Sequence, residues 1–462
     1  MIVMKFGGTS LGDAAKLTNA AELIEANLEK TPAVVVSAMA SVTNLLIDTT
    51  KNAALGKTAT VERAVGELSQ KHETAAKQSL KQPDSVLQEV RHIIGSLKPL
   101  YESIGVLGEY TPRSLDLISS YGERLSSLLL ANILIERGVS SEPIPTADLV
   151  ITDDNFGSAN VDFKVTRARV AKKVKPMLRE GVTPILTGFL SGTEKGVVTT
   201  LGRNGSDYSA SIVAACLKAE EVWIWSDVDG VLTADPKLIA EAKTVPELSY
   251  REAADLSYFG AKVLHPKSIL PAVEGGIPIW IKNAFKPEVE GTVVKAETVR
   301  DKKPIRGITS IRNLSLVNVE GAGMVELSNV AAKVFGAVAN LGINVYVISQ
   351  ASSEHSICFV VDKGDASKIV RVLKREFSER IMHRDIDEVS VMDGIAIVAV
   401  VGEGMIGTLG IAGRVFGTLG KSKVNVVAIA QGASELNISF IVKEEDLTKA
   451  VACLHREFGL DK

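Results

Sequence analysis

Two cations in this chain of 462 residues stand beside glycine turns. Lys5 lies inside the apolar run IVMKF and is followed by Gly7-Gly8-Thr9-Ser10, while Arg203 precedes Asn204-Gly205-Ser206-Asp207. In both places a strand-like run breaks at glycine and a helical pattern follows. That arrangement turns backbone N–H groups and a helix N-terminus toward an anion. The first is not a Walker A loop, because no G-K-[ST] follows at the required spacing. Lys-x-Gly-Gly alone equally describes a glycine turn with a lysine stem lying on apolar surface. A second cradle with its own cation separates the two readings, and the planar fork of Arg203 suits a carboxylate or phosphate. Asp207 sits where the second helix starts. Glu123 lies among Leu, Ser and Gly in a helical stretch, where a solvated Glu is the ordinary reading. After the strand VWIWS comes Asp227-Val228-Asp229-Gly230. An EF-hand is excluded there, since its twelfth position is Leu238 rather than Glu.

Composition bounds the rest. A formal charge of −3 gives no basic footprint for nucleic acid or membrane. Cys216, Cys358 and Cys453 are isolated in apolar segments, as expected of free thiols in a reducing compartment. A strand pattern that starts at residue 2 leaves no room for a signal peptide. No apolar run approaches the roughly 20 residues that span a bilayer. These features predict a soluble cytoplasmic protein.

Elements that position the candidates follow from periodicity. Apolar runs at 32–38, 184–188, 222–226 and 277–282 predict buried parallel strands, with helices between them. A helical, amphipathic stretch runs from about 61 to 101 with a break near Pro83, and a further helix covers 113–137. Alternating strands and helices over residues 1–285 predict a doubly wound, largely parallel α/β domain. The charged, proline-containing stretch 286–306 reads as a linker.

Beyond it the chain repeats itself with an offset of 81 residues: Gly321 and Gly402, Met324 and Met405, Phe335 and Phe416, Asn344 and Asn425, Gln350 and Gln431, Phe377 and Phe458. Each copy reads strand, helix, strand, strand, helix. The first has a closing strand at 388–392; the second has none of its own. A strand donated from 307–311 (GITSI) fills that place, so 307–392 and 393–462 are expected to interleave.

The stretches KFGGTS (5–10), VVSAM (35–39), SYGERLS (120–126), TTLGRNGSDYSA (199–210), WSDVDGVLTADP (225–236) and FGAKVLHP (259–266) closely resemble aspartate kinase. The resemblance covers nearly the whole chain in the family's order. It implies the amino-acid kinase fold followed by two interleaved, ferredoxin-like ACT domains. It also implies phosphoryl transfer from ATP to the β-carboxylate of L-aspartate. For the nucleotide it implies Lys5, Gly7, Gly8, Thr9, Ser10, Ser226, Asp227, Lys237, Lys262 and Val263. For aspartate it implies Ser37, Thr43, Glu123, Arg203 and Ser206, with Arg203 on the α-carboxylate, Glu123 on the ammonium, and Asp207 orienting Lys5 or substrate. Mg²⁺ is expected to ride mainly on the phosphates, with no firm protein ligand. Two positions depart from the family. Asn204 stands where Gly is usual and is expected to take positive φ, and Ser226 stands where Thr is common.

The chemistry agrees. A carboxylate with pKa about 3.9 is already a nucleophile at neutral pH, so positioning and charge neutralisation suffice without a general base. ISQASSEHS (348–356) resembles the effector segment of threonine-sensitive aspartate kinases. It implies that Gln350, as a buried amide, shares an effector pocket with Met324, Asn344 and Val345. Threonine is then the expected inhibitor, with lysine the alternative, and the open edge of an ACT-like sheet predicts at least a homodimer. The rivals are a kinase of the same fold acting on glutamate, acetylglutamate, carbamate or UMP, and a non-catalytic sensor using only the ACT pair. The SYGERLS helix and the ACT pair argue against the first; intact Lys5, Arg203 and Asp207 argue against the second. A fused homoserine dehydrogenase is not expected.

Overall fold

The computed structural model describes residues 1–261, 264–298, 303–324, 329–350 and 355–461. Chain contacts divide it into two units. The first comprises Met1–Val231, Pro246–Tyr250 and Val263–Thr298; the second comprises Leu232–Val245, Arg251–Lys262 and Val299–Lys462.

Strands β1 (Ile2–Phe6), β2 (Ala33–Val36), β3 (Ser141–Ile144), β4 (Thr183–Thr187), β5 (Leu190–Gly192), β6 (Val198–Thr200), β7 (Glu221–Ser226), β8 (Glu247–Ser249), β9 (Ile279–Asn283) and β10 (Thr292–Lys295) belong to the first unit. Eight of them form one sheet in the order β3-β4-β2-β1-β7-β9-β10-β8. Only the β9–β10 pairing in it is antiparallel. Strands β5 and β6 form a separate hairpin. β1 is central, with Lys5 opposite Val35 on one side and Ile224 on the other. Its five residues are all buried, which is why the run is apolar apart from Lys5.

The helical stretch expected over 61–101 is three helices, Thr58–Ser79, Asp84–Gly95 and Leu97–Leu107. The single helix expected over 113–137 is two, Pro112–Ser119 and Tyr121–Glu136. The first of this pair opens with a capping box between Thr111 and Ser114 and Pro at its first turn. The second is buried on nearly every face, matching its sequence GERLSSLLLANILI. The expected linker 286–306 is partly sheet, since β10 lies within it. The expected catalytic stretch 1–285 also gives up 232–245 and 251–262 to the second unit, where Ala234 and Ile239 enter an apolar core.

The second unit holds β11 (Gly307–Glu320), β12 (Val347–Gln350), β13 (Ser356–Asp362), β14 (Glu388–Val401), β15 (Ala428–Ala430) and β16 (Asn437–Lys443), in the order β12-β13-β11-β14-β16-β15. The strand exchange expected from the sequence is present. The first half of β11 pairs with the second half of β14, Gly307 opposite Val401, while its second half pairs with β13 and with the start of β14. Both long strands turn at residues 81 apart with positive φ, Asn313 and Gly394. Each repeat has its own core with an edge-to-face ring pair, Phe335–Phe359 and Phe416–Phe440. Segments from the middle of the chain cover one edge of this sheet. The Ile308 N–H donates to the Thr233 carbonyl at 2.8 Å, and Thr309 Oγ1 donates to the Phe259 carbonyl at 2.9 Å.

Candidate active site

The candidates in the first unit gather where parallel strands end, the usual binding edge of an open α/β sheet. β1 ends in Gly7 and Gly8, β2 leads to Ser37, and β7 ends in Ser226. Lys5 Nζ meets Asp207 Oδ1 at 2.6 Å, with both side chains about one-tenth exposed. Asp207 lies in the first turn of the helix Gly205–Leu217, where the helix dipole favours a negative charge. The two glycine cradles, some 200 residues apart in sequence, are thus joined by one ion pair. A Cβ on Gly7 would stand 3.5 Å from Lys5 Nζ, and one on Gly8 would stand 2.8 Å from the Ala38 carbonyl oxygen. The first is an ordinary contact, whereas the second would strike backbone in the loop after β2, so Gly8 is the position that needs glycine.

The Gly8–Leu11 turn is fixed from beneath. The Gly7 N–H donates to the Trp225 carbonyl at 3.3 Å and Ser10 Oγ donates to the same oxygen at 3.4 Å. Ser10 therefore points into the protein, whereas Thr9 is exposed. On the second cradle, Asn204 has φ 55° and caps the helix in the left-handed region, as its departure from glycine predicts. Arg203 is exposed in that turn and Ser206 is buried.

Glu123 differs most from the ordinary reading. It is buried, and its Oε1 accepts from the Ala38 N–H at 3.1 Å; Oε2 has no partner among the described residues. Burial pushes its pKa up to about 8. Ser37 and Thr43 lie on either side of that amide, both part-buried. Ser226 is part-buried and donates to Asp227 at 3.2 Å, on the exposed loop after β7. Lys237 belongs to the second unit and is exposed there. Lys262 and Val263 lie outside the described residues.

Sequence reasoning missed two supports. Asp116 is buried and accepts from the Gly157 N–H at 2.9 Å, the Thr200 N–H at 3.0 Å and Thr200 Oγ1 at 2.8 Å, so it anchors the strand leading into Arg203. Burial nonetheless holds its carboxyl above the usual range. Its only sequence signal is an acid in the apolar helix SLDLIS. Ser268 donates to the Asn204 carbonyl at 3.3 Å, and no pattern announces it.

In the second unit, Gln350 is exposed at the end of an edge strand rather than buried. β12 begins at Val347, and alternation along it puts Gln350 on the outward side with Ile348. Met324 is instead buried in the core of the first repeat. Asn344 is exposed and Val345 part-buried.

Residues 1–283 match the amino acid kinase family, and residues 317–377 and 398–458 each match the ACT domain. The chain is 35% identical to aspartokinase 1, chloroplastic, of Arabidopsis thaliana, over 99% of this chain and 80% of that protein. The chain belongs to the aspartokinase family. It is also 36% identical to an Arabidopsis bifunctional aspartokinase/homoserine dehydrogenase, over 100% of this chain and 51% of that one. The chain thus spans about half the length of the bifunctional aspartokinases it matches. Among solved structures it resembles Escherichia coli aspartokinase III in complex with aspartate and ADP, with 31% identity, a TM-score of 0.82 and 99% of each chain covered. The same enzyme in complex with lysine and aspartate gives 0.83. Among the described residues no helix is long and apolar enough to cross a membrane.

Proposed function

We propose that this chain is an aspartate kinase that makes 4-phospho-L-aspartate from ATP and L-aspartate, the first step toward lysine, threonine and methionine, under feedback through its ACT domains. The observation that carries the reading is the Lys5–Asp207 pair joining two glycine cradles at one sheet edge. A β-carboxylate oxygen attacks the γ-phosphorus, the bond to the ADP oxygen breaks, and no proton moves. Catalysis is then alignment plus neutralisation of the negative charge around the transferring group. Lys5, held by Asp207, stabilises the transferring phosphoryl. Gly7, Gly8 and Thr9 cradle the phosphates, with Ser10 bracing the turn, and Ser226 and Asp227 sit at the nucleotide. Mg²⁺ enters with ATP as part of the substrate.

Glu123 supports an amino-acid acceptor, because its free Oε2 offers a buried carboxylate to an ammonium. Arg203 takes the α-carboxylate with Ser206, Ser37 and Thr43 around it. The protein works in the cytoplasm as a homodimer or larger assembly. Its inhibitor is an amino acid, threonine before lysine, bound near Asn344, Val345 and Gln350. Trapping with hydroxylamine tests the reaction. Active, folded protein with ATP, Mg²⁺ and aspartate should yield an aspartyl hydroxamate, and hydroxamate formed from another acceptor instead would overturn the assignment.

A further inference from the structure

The helix Phe163–Arg179 carries seven lysines and arginines and no acidic residue, in a chain whose net charge is −3. Like charges three and four residues apart weaken a helix, so this density calls for compensation. One side has it: Lys173 pairs with Glu142 at 3.0 Å and Arg169 donates to the Asp148 carbonyl at 3.1 Å. The other side does not. There Lys164, Arg167 and Lys175 join Lys218, at the end of the helix Gly205–Leu217, around a groove of about 520 Å³. Among the described residues no carboxylate forms an ion pair with any of the four, and none lines the groove.

The helix C-terminus beside Lys218 offers roughly half a negative charge, far short of four cations. The floor is small and apolar, with Ala168, Ala171 and Cys216. Burial pushes the Cys216 thiol up to about 11, which makes it wall rather than nucleophile. The volume is that of a metabolite-sized site. It lies at the opposite end of the helix that presents Asp207, about 13 Å along the axis from that residue.

We propose that this groove binds a small polyphosphate anion, with the Arg167 fork on one phosphate and the three lysines around the rest. The source is either a free polyphosphate or a nucleoside polyphosphate other than the substrate.

The full chain, saturated with ADP and aspartate, is titrated calorimetrically with inorganic triphosphate and separately with GTP. The same titrations are run on Arg167→Ala/Lys175→Ala and on Lys173→Ala, which lies on the compensated side. The wild type should bind one equivalent, and affinity should fall severalfold from low to physiological salt. The groove variant should lose at least tenfold and Lys173→Ala should lose less than twofold. Tighter GTP than triphosphate identifies a nucleotide; the reverse identifies a free polyphosphate. If the double variant fails to fold, Lys218→Ala carries the comparison. No binding by the wild type at millimolar ligand, or equal binding by wild type and groove variant, overturns the proposal.

Discussion

Replacing Glu123 by Gln should remove a pH dependence that the wild type is built to show. Glu123 has its pKa pushed up to about 8 because burial penalises its charge. An aspartate ammonium needs the ionised form, so binding expels a proton whenever the pH lies below that value. The ionised fraction is about 3% at pH 6.5 and about 75% at pH 8.5, a ratio of roughly 25. The KM for aspartate should therefore fall about 25-fold over that interval, while the KM for ATP changes little. The sign of the stability effect is opposite. The native carboxyl holds its proton after the unfolded one, with pKa 4.5, has lost it, so the empty protein loses stability as pH rises from about 4.5 through about 8. Initial rates in a coupled ADP assay, with melting curves in parallel, give both readouts. Glu123→Gln should show a raised but pH-flat KM for aspartate and a flatter stability profile. A wild-type KM that does not move between pH 6.5 and 8.5, or a Gln variant that keeps the wild-type slope, refutes the reasoning.

Lys5→Ala should lower kcat by about a thousandfold or more, since its charge is needed most as the phosphoryl group transfers, and should lower the melting temperature while the fold is retained, because Asp207 loses its partner; steady-state kinetics and melting curves check this. Threonine should inhibit the wild type at millimolar levels, and Gln350→Ala should weaken that inhibition about tenfold, equivalent to roughly 1.5 kcal/mol of hydrogen bonding, without changing activity in its absence. Light scattering should show at least a dimer. The second repeat's edge at 307–311 is covered by Thr233 and Phe259, whereas the matching first-repeat edge at 388–393 pairs only with β11 among the described residues and exposes Val391 and Met392. Val391→Lys should shift the assembly toward monomer.

The sequence made those parts of the site legible where chemistry is local. Lys5 with its glycines and Asn204 at a left-handed cap each follow from a few neighbouring residues. The strand exchange was also legible, because an 81-residue repeat with one strand missing has to find it elsewhere. Burial set by distant packing was not legible. Glu123 looks like a surface residue until its helix is known to be covered on nearly every face. Asp116 gains its meaning only from Thr200 and Gly157, remote in sequence. The excursions at 232–245 and 251–262 read as ordinary parts of the catalytic chain, since their apolar residues do not reveal which core receives them. Gln350 is exposed rather than buried because an edge strand exposes alternate residues, and the pattern alone does not say which strand is the edge.

The shared long strands also set an order of events on the ribosome. Residues 307–311 emerge first, yet their partners at 397–401 follow only after the whole first repeat has been made. At the usual few to twenty residues per second, the growing chain carries that strand without its β14 partner for several seconds or longer. Neither repeat then behaves as a separable module. A protein cut between them at Gly394 leaves 307–311 without its strand partner, and its expected fate is aggregation rather than a working half.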